Sequence, residues 1–243
     1  MTWPEHCFKA YDIRGHASGS SEDELTPAFA ERLGQALSTM LGAQRMAVGR
    51  DIRETSPALA SALIDGLRAG GTTVVDLGVC TTGALYHACW TLDVDGGVMV
   101  TASHLAMPMY NGFKMCEGRL PLAGEDIQRL REVFLKGDFA EGAGGLEHLD
   151  CMPIYLEAIL ESVGPLERPV RLAVDAGNAV PGPFLVELLE RLGAAVAIFL
   201  HTTTQTTRLT PLVAAEARSY PPYHGRERGR VFYYLDAWVQ GFY

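Results

Sequence analysis

Apolar positions along the chain alternate between short unbroken runs and longer stretches at helical spacing, the rhythm of an α/β protein. Between Ser21 and Leu41, Leu25, Phe29, Leu33, Ala36, Leu37 and Met40 keep helical spacing, with a Thr26-Pro27 start and a Gly42 stop. Met46 to Asp51 reads as a strand leaving into a loop. Ser56-Pro57 then opens a helix that buries Leu59, Leu63, Ile64 and Leu67 and closes at Gly70-Gly71, and Thr72 to Gly78 is the next strand. Strand, helix and strand in this order predict parallel pairing through a right-handed crossover. Thr81, Thr82 and Gly83 precede a helix holding Leu85, Tyr86, Ala88 and Trp90. A buried strand at Val98 to Val100 then stops abruptly at Ser103-His104, before a loop with Pro108, Asn111 and Gly112. Met115 to Leu122 reads as a hairpin with a Glu-Gly turn. Residues 124–136 form an amphipathic helix with Ile127, Leu130, Val133 and Phe134 inward.

The pattern then loosens. Gly142, Gly144 and Gly145 mark residues 139–150 as a linker. A helix over 152–163, a strand over 170–175, a helix over 184–192 and a strand over 196–200 open a second βαβ unit. The expected fold class is therefore α/β: a mixed, largely parallel sheet flanked by helices over residues 1–138, and an incomplete second α/β domain over 151–200. From His201 onward the composition shifts to a Thr-rich run and an Arg- and Tyr-rich tail without apolar period, so 201–243 is expected to be a divergent, poorly ordered segment.

Composition narrows the function classes. The 243 residues suffice for a real core, and a net charge of −9 argues against nucleic acid or a membrane surface as partner. No apolar run reaches the length of a membrane span, and residues 1–14 show no secretory pattern, which makes cytoplasmic the expected location. Cys7, Cys80, Cys89, Cys116 and Cys151 are scattered without a Cys-x-x-Cys pair, so neither a disulfide framework nor a zinc site is expected, only buried reduced thiols.

Ser103 follows the carboxyl end of a strand, where ligands collect in open α/β sheets. On residue type alone it also reads as an ordinary loop serine. Arg14 offers a planar fork for phosphate oxygens, with Gly15 behind it allowing a sharp turn, although Asp12 and Arg14 equally form a plain surface pair. Thr101-Ala102-Ser103-His104 followed by Tyr110-Asn111-Gly112-Phe113-Lys114 resembles the phosphoserine loop of the α-D-phosphohexomutases, the phosphomannomutase/phosphoglucomutase family. Phe8-Lys9-Ala10-Tyr11-Asp12-Ile13-Arg14-Gly15 is similar to that family's N-terminal signature, Val48 to Asp51 to a stretch of its first domain, and Asp175-Ala176-Gly177-Asn178 to the start of its second. The resemblance covers roughly residues 5–200. It implies an intramolecular phosphotransferase that interconverts hexose 1- and 6-phosphates through a phosphoserine and a bisphosphorylated intermediate. Ser103, His104, Lys114 and Arg14 would be catalytic, and Tyr11 and Asn111 would bind substrate. Mg2+ would be held through the phosphate on Ser103. Without the resemblance, Lys114 and His104 read as a solvated lysine and a loop histidine bonded to backbone.

Two departures temper the implied activity. Leu105-Ala106 stands where the family has Asn-Pro, and the loop is one residue longer before Tyr110. The family's later Asp-Gly-Asp-x-Asp-Arg metal loop and its sugar- and phosphate-recognition domains are not expected within these residues. Little turnover is therefore expected from this chain alone, and a non-catalytic binding module derived from the same first domain is the alternative. A separate serine enzyme ranks last for want of a Gly-x-Ser-x-Gly elbow and an identifiable acid–base partner set. If Thr202 to Pro211 use ACC, CAG, CGG and CTG codons, a neighbouring frame reads His-His-Pro-Asp-His-Pro-Ala-Asp-Pro, close to the family's His-Pro-Asp-Pro segment. A reading-frame change after about residue 201 is the matching expectation.

Overall fold

A computed structural model describes residues 3–103, 105, 109–168, 170–175, 179–200 and 235–236. The chain forms two compact units, Met1–Cys151 and Met152–Tyr243.

In the first unit a 3-10 turn (Glu5–Cys7) leads through an antiparallel bridge between Phe8 and Ile13 into β1 (Ile13–His16). The helix α1 (Pro27–Leu41) begins where the Thr26 hydroxyl accepts from the Phe29 N–H and ends at Gly42 in the left-handed conformation. Then follow β2 (Arg45–Arg50), α2 (Ser56–Ala69), β3 (Thr73–Val79), α3 (Thr82–Thr91) and β4 (Gly96–Val100), and β4 is buried along its whole length. β5 (Tyr110–Glu117) and β6 (Leu120–Pro121) form the expected hairpin, but its turn is Gly118-Arg119 and not Glu-Gly, because Glu117 is still paired with Leu120. α4 (Glu125–Lys136) and β7 (Leu146–His148) complete the unit.

The strands make one mixed sheet in the order β1-β5-β4-β2-β3-β7, with β6 beside β5. β4, β2, β3 and β7 run parallel, as strand–helix–strand connections require, whereas β5 is antiparallel to both β1 and β4. The stretch Tyr110 to Lys114, expected as loop, is thus a strand paired on both sides. Its Asn-Gly step looks like a chain breaker, yet the Gly112 carbonyl accepts from the Thr101 N–H and the Gly112 N–H donates to Asn111 Oδ1. Residues 142–145 of the expected linker lie along the end of β3. A Cβ on Gly144 would sit 1.9 Å from the Thr72 carbonyl oxygen, so a side chain there would prevent β7 from reaching the sheet edge.

Phe29, Phe113 and Phe134 are fully buried between sheet and helices, and burial of each contributes about 1.5–3 kcal/mol. Trp3 closes this cluster against Phe29 and Phe134, with the Arg32 guanidinium 5.2 Å over its ring. The five thiols are free and buried, and Cys89 and Cys116 stand 3.5 Å apart. No helix among the described residues is long and apolar enough to cross a membrane.

The second unit holds α5 (Met152–Val163), β8 (Val170–Asp175), α6 (Gly182–Arg191) and β9 (Ala194–Leu200), with β9 parallel to β8. Leu156, Leu188 and Leu192 form its small core. β10 (Leu235–Asp236) pairs with the other side of β8. The rest of the expected tail, and Ala176 to Asn178, lie outside the described residues.

Candidate active site

Ser103 stands just beyond the carboxyl end of β4, with a φ of 64°. Among the described residues it is the one non-glycine in the left-handed region, a conformation that costs a side-chain-bearing residue about 1–2 kcal/mol. Ser103→Gly should therefore be more stable than Ser103→Ala by about 1 kcal/mol in urea unfolding, despite the larger entropy glycine loses on folding. An alanine variant as stable as the glycine variant would remove the argument that this loop holds its serine under strain.

The strain is held by Arg53, in the middle of the loop between β2 and α2. Its side chain is 6% exposed, and its guanidinium donates to the carbonyls of Ser103 (2.9 Å), Leu105 (2.8 Å) and Tyr110 (3.0 Å). Nε donates to Asp51 Oδ2 at 3.1 Å. Burial pulls the Arg53 guanidinium below its ordinary range, and Asp51 opposes that pull. Asp51 is in turn fixed by the hydroxyls of Ser56 (2.5 Å) and Thr101 (2.8 Å), and Thr101 Oγ1 accepts from the Ser103 N–H at 3.1 Å. One buried ion pair therefore sets the backbone path on both sides of the serine. Sequence reading passed over Arg53, because a charged residue between strand and helix looks like solvated surface. Its spacing of two from Asp51 was the only local signal.

Asn111 is fully buried on β5. Its amide donates to Thr55 Oγ1 (3.0 Å) and Ser56 Oγ (2.9 Å), and its Oδ1 accepts from the Gly112 N–H (2.8 Å). With both amide hydrogens spent inside the protein, Asn111 is placed as a brace between β5 and α2.

A second network carries the positive charge. Asp12, 4% exposed, accepts from Arg14 Nε at 2.5 Å, and its Oδ2 lies 3.6 Å from Lys114 Nζ. Arg14 opposes Gly112 across the β1–β5 ladder, while the Thr101 N–H donates to the Gly112 carbonyl from the other side at 2.9 Å. A Cβ on Gly112 would lie 2.5 Å from the Ile13 carbonyl and 3.1 Å from Arg14 Cγ, so glycine lets the two strands close up here. The sheet thus sets Arg14, Gly112 and Thr101 side by side, two residues before the serine. Asp12 is consequently the buried link between two cations, which its reading as half of a surface pair did not convey. Tyr11 is 69% exposed in the turn before β1. Gly15 lies within β1, in extended strand and not in the sharp turn expected of it. His104 lies outside the described residues.

Residues 5–141 match the family model described as phosphoglucomutase/phosphomannomutase, alpha/beta/alpha domain I. The chain belongs to the phosphoglucomutase/phosphomannomutase family. A phosphomannomutase/phosphoglucomutase of Pseudomonas aeruginosa is 40% identical over 80% of this chain and 42% of its own length. A phosphomannomutase of Salmonella montevideo is 36% identical over 93% of this chain and 52% of its own. The chain thus spans about half the length of the curated relatives it matches. A match of 93% does not fit within residues 5–200, so likeness to the Salmonella protein continues past the point where the sequence resemblance was expected to end. Among solved structures, a phosphoglucomutase/phosphomannomutase family protein of Burkholderia thailandensis superposes with a TM-score of 0.75 at 36% identity, covering 83% of this chain and 45% of that one.

Membership of this phosphohexomutase family raises the question of the Mg2+ expected beside Ser103. That ion takes about six oxygen ligands, mainly carboxylate and water. Asp51 is spent on Arg53, Ser56 and Thr101, and Asp12 on Arg14 and Lys114. The cluster of metal-ligand type found among the described residues, His6, Cys7 and Glu24, joins the N-terminal turn to the segment before α1 and offers nitrogen and sulfur as well as oxygen. Neither Asp51 nor Asp12 is therefore free for Mg2+, and no step below runs through that ion.

Proposed function

We propose that this chain is the phosphoryl-carrying portion of a phosphohexomutase, with Ser103 as the acceptor and donor and a hexose phosphate as substrate. The observation that carries the reading is the left-handed Ser103, pinned by Arg53 at a strand end. Residues held in an unfavourable backbone by their surroundings cluster at active sites and ligand clamps. In the transfer, the bond from phosphorus to a sugar oxygen breaks as the bond to Ser103 Oγ forms, and the serine proton passes to the sugar oxygen. Return of the phosphoryl group to the sugar's other end reverses these changes. Phosphoryl transfer depends on positioning and on charge neutralisation. Arg14 and Lys114 are the cations for the second task, and Asp12 keeps two long side chains from spreading into solvent. His104 and Lys114 are the candidates for moving the hydroxyl proton, Tyr11 contacts the sugar, and Asn111 acts as a positioning residue through Thr55 and Ser56.

The test is incubation of the full chain with glucose 1,6-bisphosphate in Mg2+ buffer, intact and peptide mass spectrometry, and an isomerisation assay on mannose and glucose phosphates. Phosphate on Ser103 that is absent from Ser103→Ala supports the reading. Isomerisation in addition gives this chain the whole activity, and labelling without it gives the carrier step alone. A folded chain that stays unlabelled overturns the proposal in favour of a non-catalytic module.

A further inference from the structure

A separate group of side chains gathers where the N-terminal 3-10 turn meets β1. The ligand atoms of His6, Cys7 and Glu24 all lie within 4.8 Å of one another. Glu24 is fixed by its backbone and its side chain alike. Its N–H donates to the His16 carbonyl at 3.0 Å, and its Oε2 accepts from the His16 N–H at 2.7 Å. That leaves Oε1 turned to His6 Nε2, with which it forms a hydrogen bond. Cys7 is fully buried at the floor, and His6 is exposed at the mouth. A Cβ on Gly15 would lie 2.7 Å from Cys7 Sγ and 2.9 Å from Glu24 Oε2, so the glycine in β1 clears the space in which thiol and carboxylate approach.

We propose that His6, Cys7 and Glu24 form a zinc site outside the phosphoryl-transfer centre. The donor set decides the metal. An imidazole nitrogen, a sulfur and one carboxylate suit borderline-soft Zn2+ and not the oxygen-seeking Mg2+ or Ca2+. The charges also close: thiolate and carboxylate against a divalent cation leave a neutral site, which a half-buried position tolerates. Cys7 binds as the thiolate, so an entering ion displaces the thiol proton to solvent. Glu24 already has the partner that orients a metal-ligating carboxylate, the His16 N–H. Three protein ligands leave one coordination position open on the exposed His6 side. An ion there fastens the turn Glu5–Cys7 to Glu24 across the Phe8–Ile13 bridge, between whose residues Tyr11 and Asp12 lie. Cysteine spacing gave no hint of it, because the ligands are an adjacent His-Cys pair and a distant glutamate.

The full chain, stripped of metal, is titrated with Zn2+ by calorimetry and with Co2+ by absorption. Binding of one ion, a thiolate-to-cobalt charge-transfer band and a raised thermal midpoint are expected. Cys7→Ser should abolish the band, and His6→Asn and Glu24→Gln should each weaken Zn2+ at least about tenfold. His6 is exposed, so its variant keeps the fold and remains readable should Cys7→Ser fail to fold. Failure of the native chain to take up either ion overturns the site. Unchanged Zn2+ affinity in His6→Asn, or a band that survives in Cys7→Ser, overturns it too and moves the ion to another thiol. None of these readouts depends on phosphate transfer to Ser103.

Discussion

Replacing Arg53 by methionine is expected to cost the fold about 3–5 kcal/mol and to abolish phosphate uptake at Ser103. Methionine fills much of the volume but supplies none of the hydrogen bonds. Three carbonyls lose their donor, and Asp51 is left largely buried without its cation. The cost is large because the orphaned groups cannot regain water, so the pair is worth far more than an exposed salt bridge. Arg53→Lys separates the two consequences. Lysine restores the charge beside Asp51 but ends in a single nitrogen, which cannot fork to Ser103, Leu105 and Tyr110 together. It should recover part of the stability and little of the labelling. Urea unfolding and Ser103 mass spectrometry read both. A methionine variant that loses less than about 1 kcal/mol and labels normally would show that the serine loop holds its shape without this clamp.

The elements of the first unit were legible because its helices and parallel strands announce themselves locally. Thr26 and Gly42 mark the ends of α1 with the residues that capping demands, and Val98 to Val100 can hardly be anything but a buried strand. β5 was not legible. Tyr110 to Lys114 lacks β-branched residues and contains Asn-Gly, and its extended form is imposed by ladders to β1 and β4 from distant parts of the sequence. The candidate site divides in the same way. Family likeness put forward Ser103, Arg14 and Lys114 as candidates, yet it did not name the groups that hold them. Arg53 acts on carbonyls 50 to 57 positions further along the chain, and carbonyls carry no sequence signature. Asn111 shows the converse. Its position suggested contact with substrate, whereas its burial and its Thr55 and Ser56 partners tie β5 to the helix behind.

That dependence on α2 leads to a prediction remote from the chemistry: Gly66→Ala should destabilise the first unit by about 2–3 kcal/mol and also slow labelling of Ser103. Helices α1 and α2 meet backbone to backbone. A Cβ on Gly66 would fall 1.9 Å from the Glu31 carbonyl oxygen, and one on Gly34 would fall 2.3 Å from the Leu63 carbonyl oxygen. Neither obstacle is the end of a flexible side chain, so relief requires the helices themselves to part. Alanine's better helix propensity returns only about 1 kcal/mol. Ser61→Ala, on the exposed face of the same helix, gains propensity without a clash and should be neutral or slightly stabilising. The displacement has a path to the serine. The first turn of α2 presents Ser56 to Asp51 and, with Thr55, receives the Asn111 amide, so a helix pushed off α1 pulls on both braces of the loop. Loss of stability with unaltered labelling in the folded fraction would show that the site rides on the sheet alone. Loss of both makes the close helix crossing part of what positions Ser103.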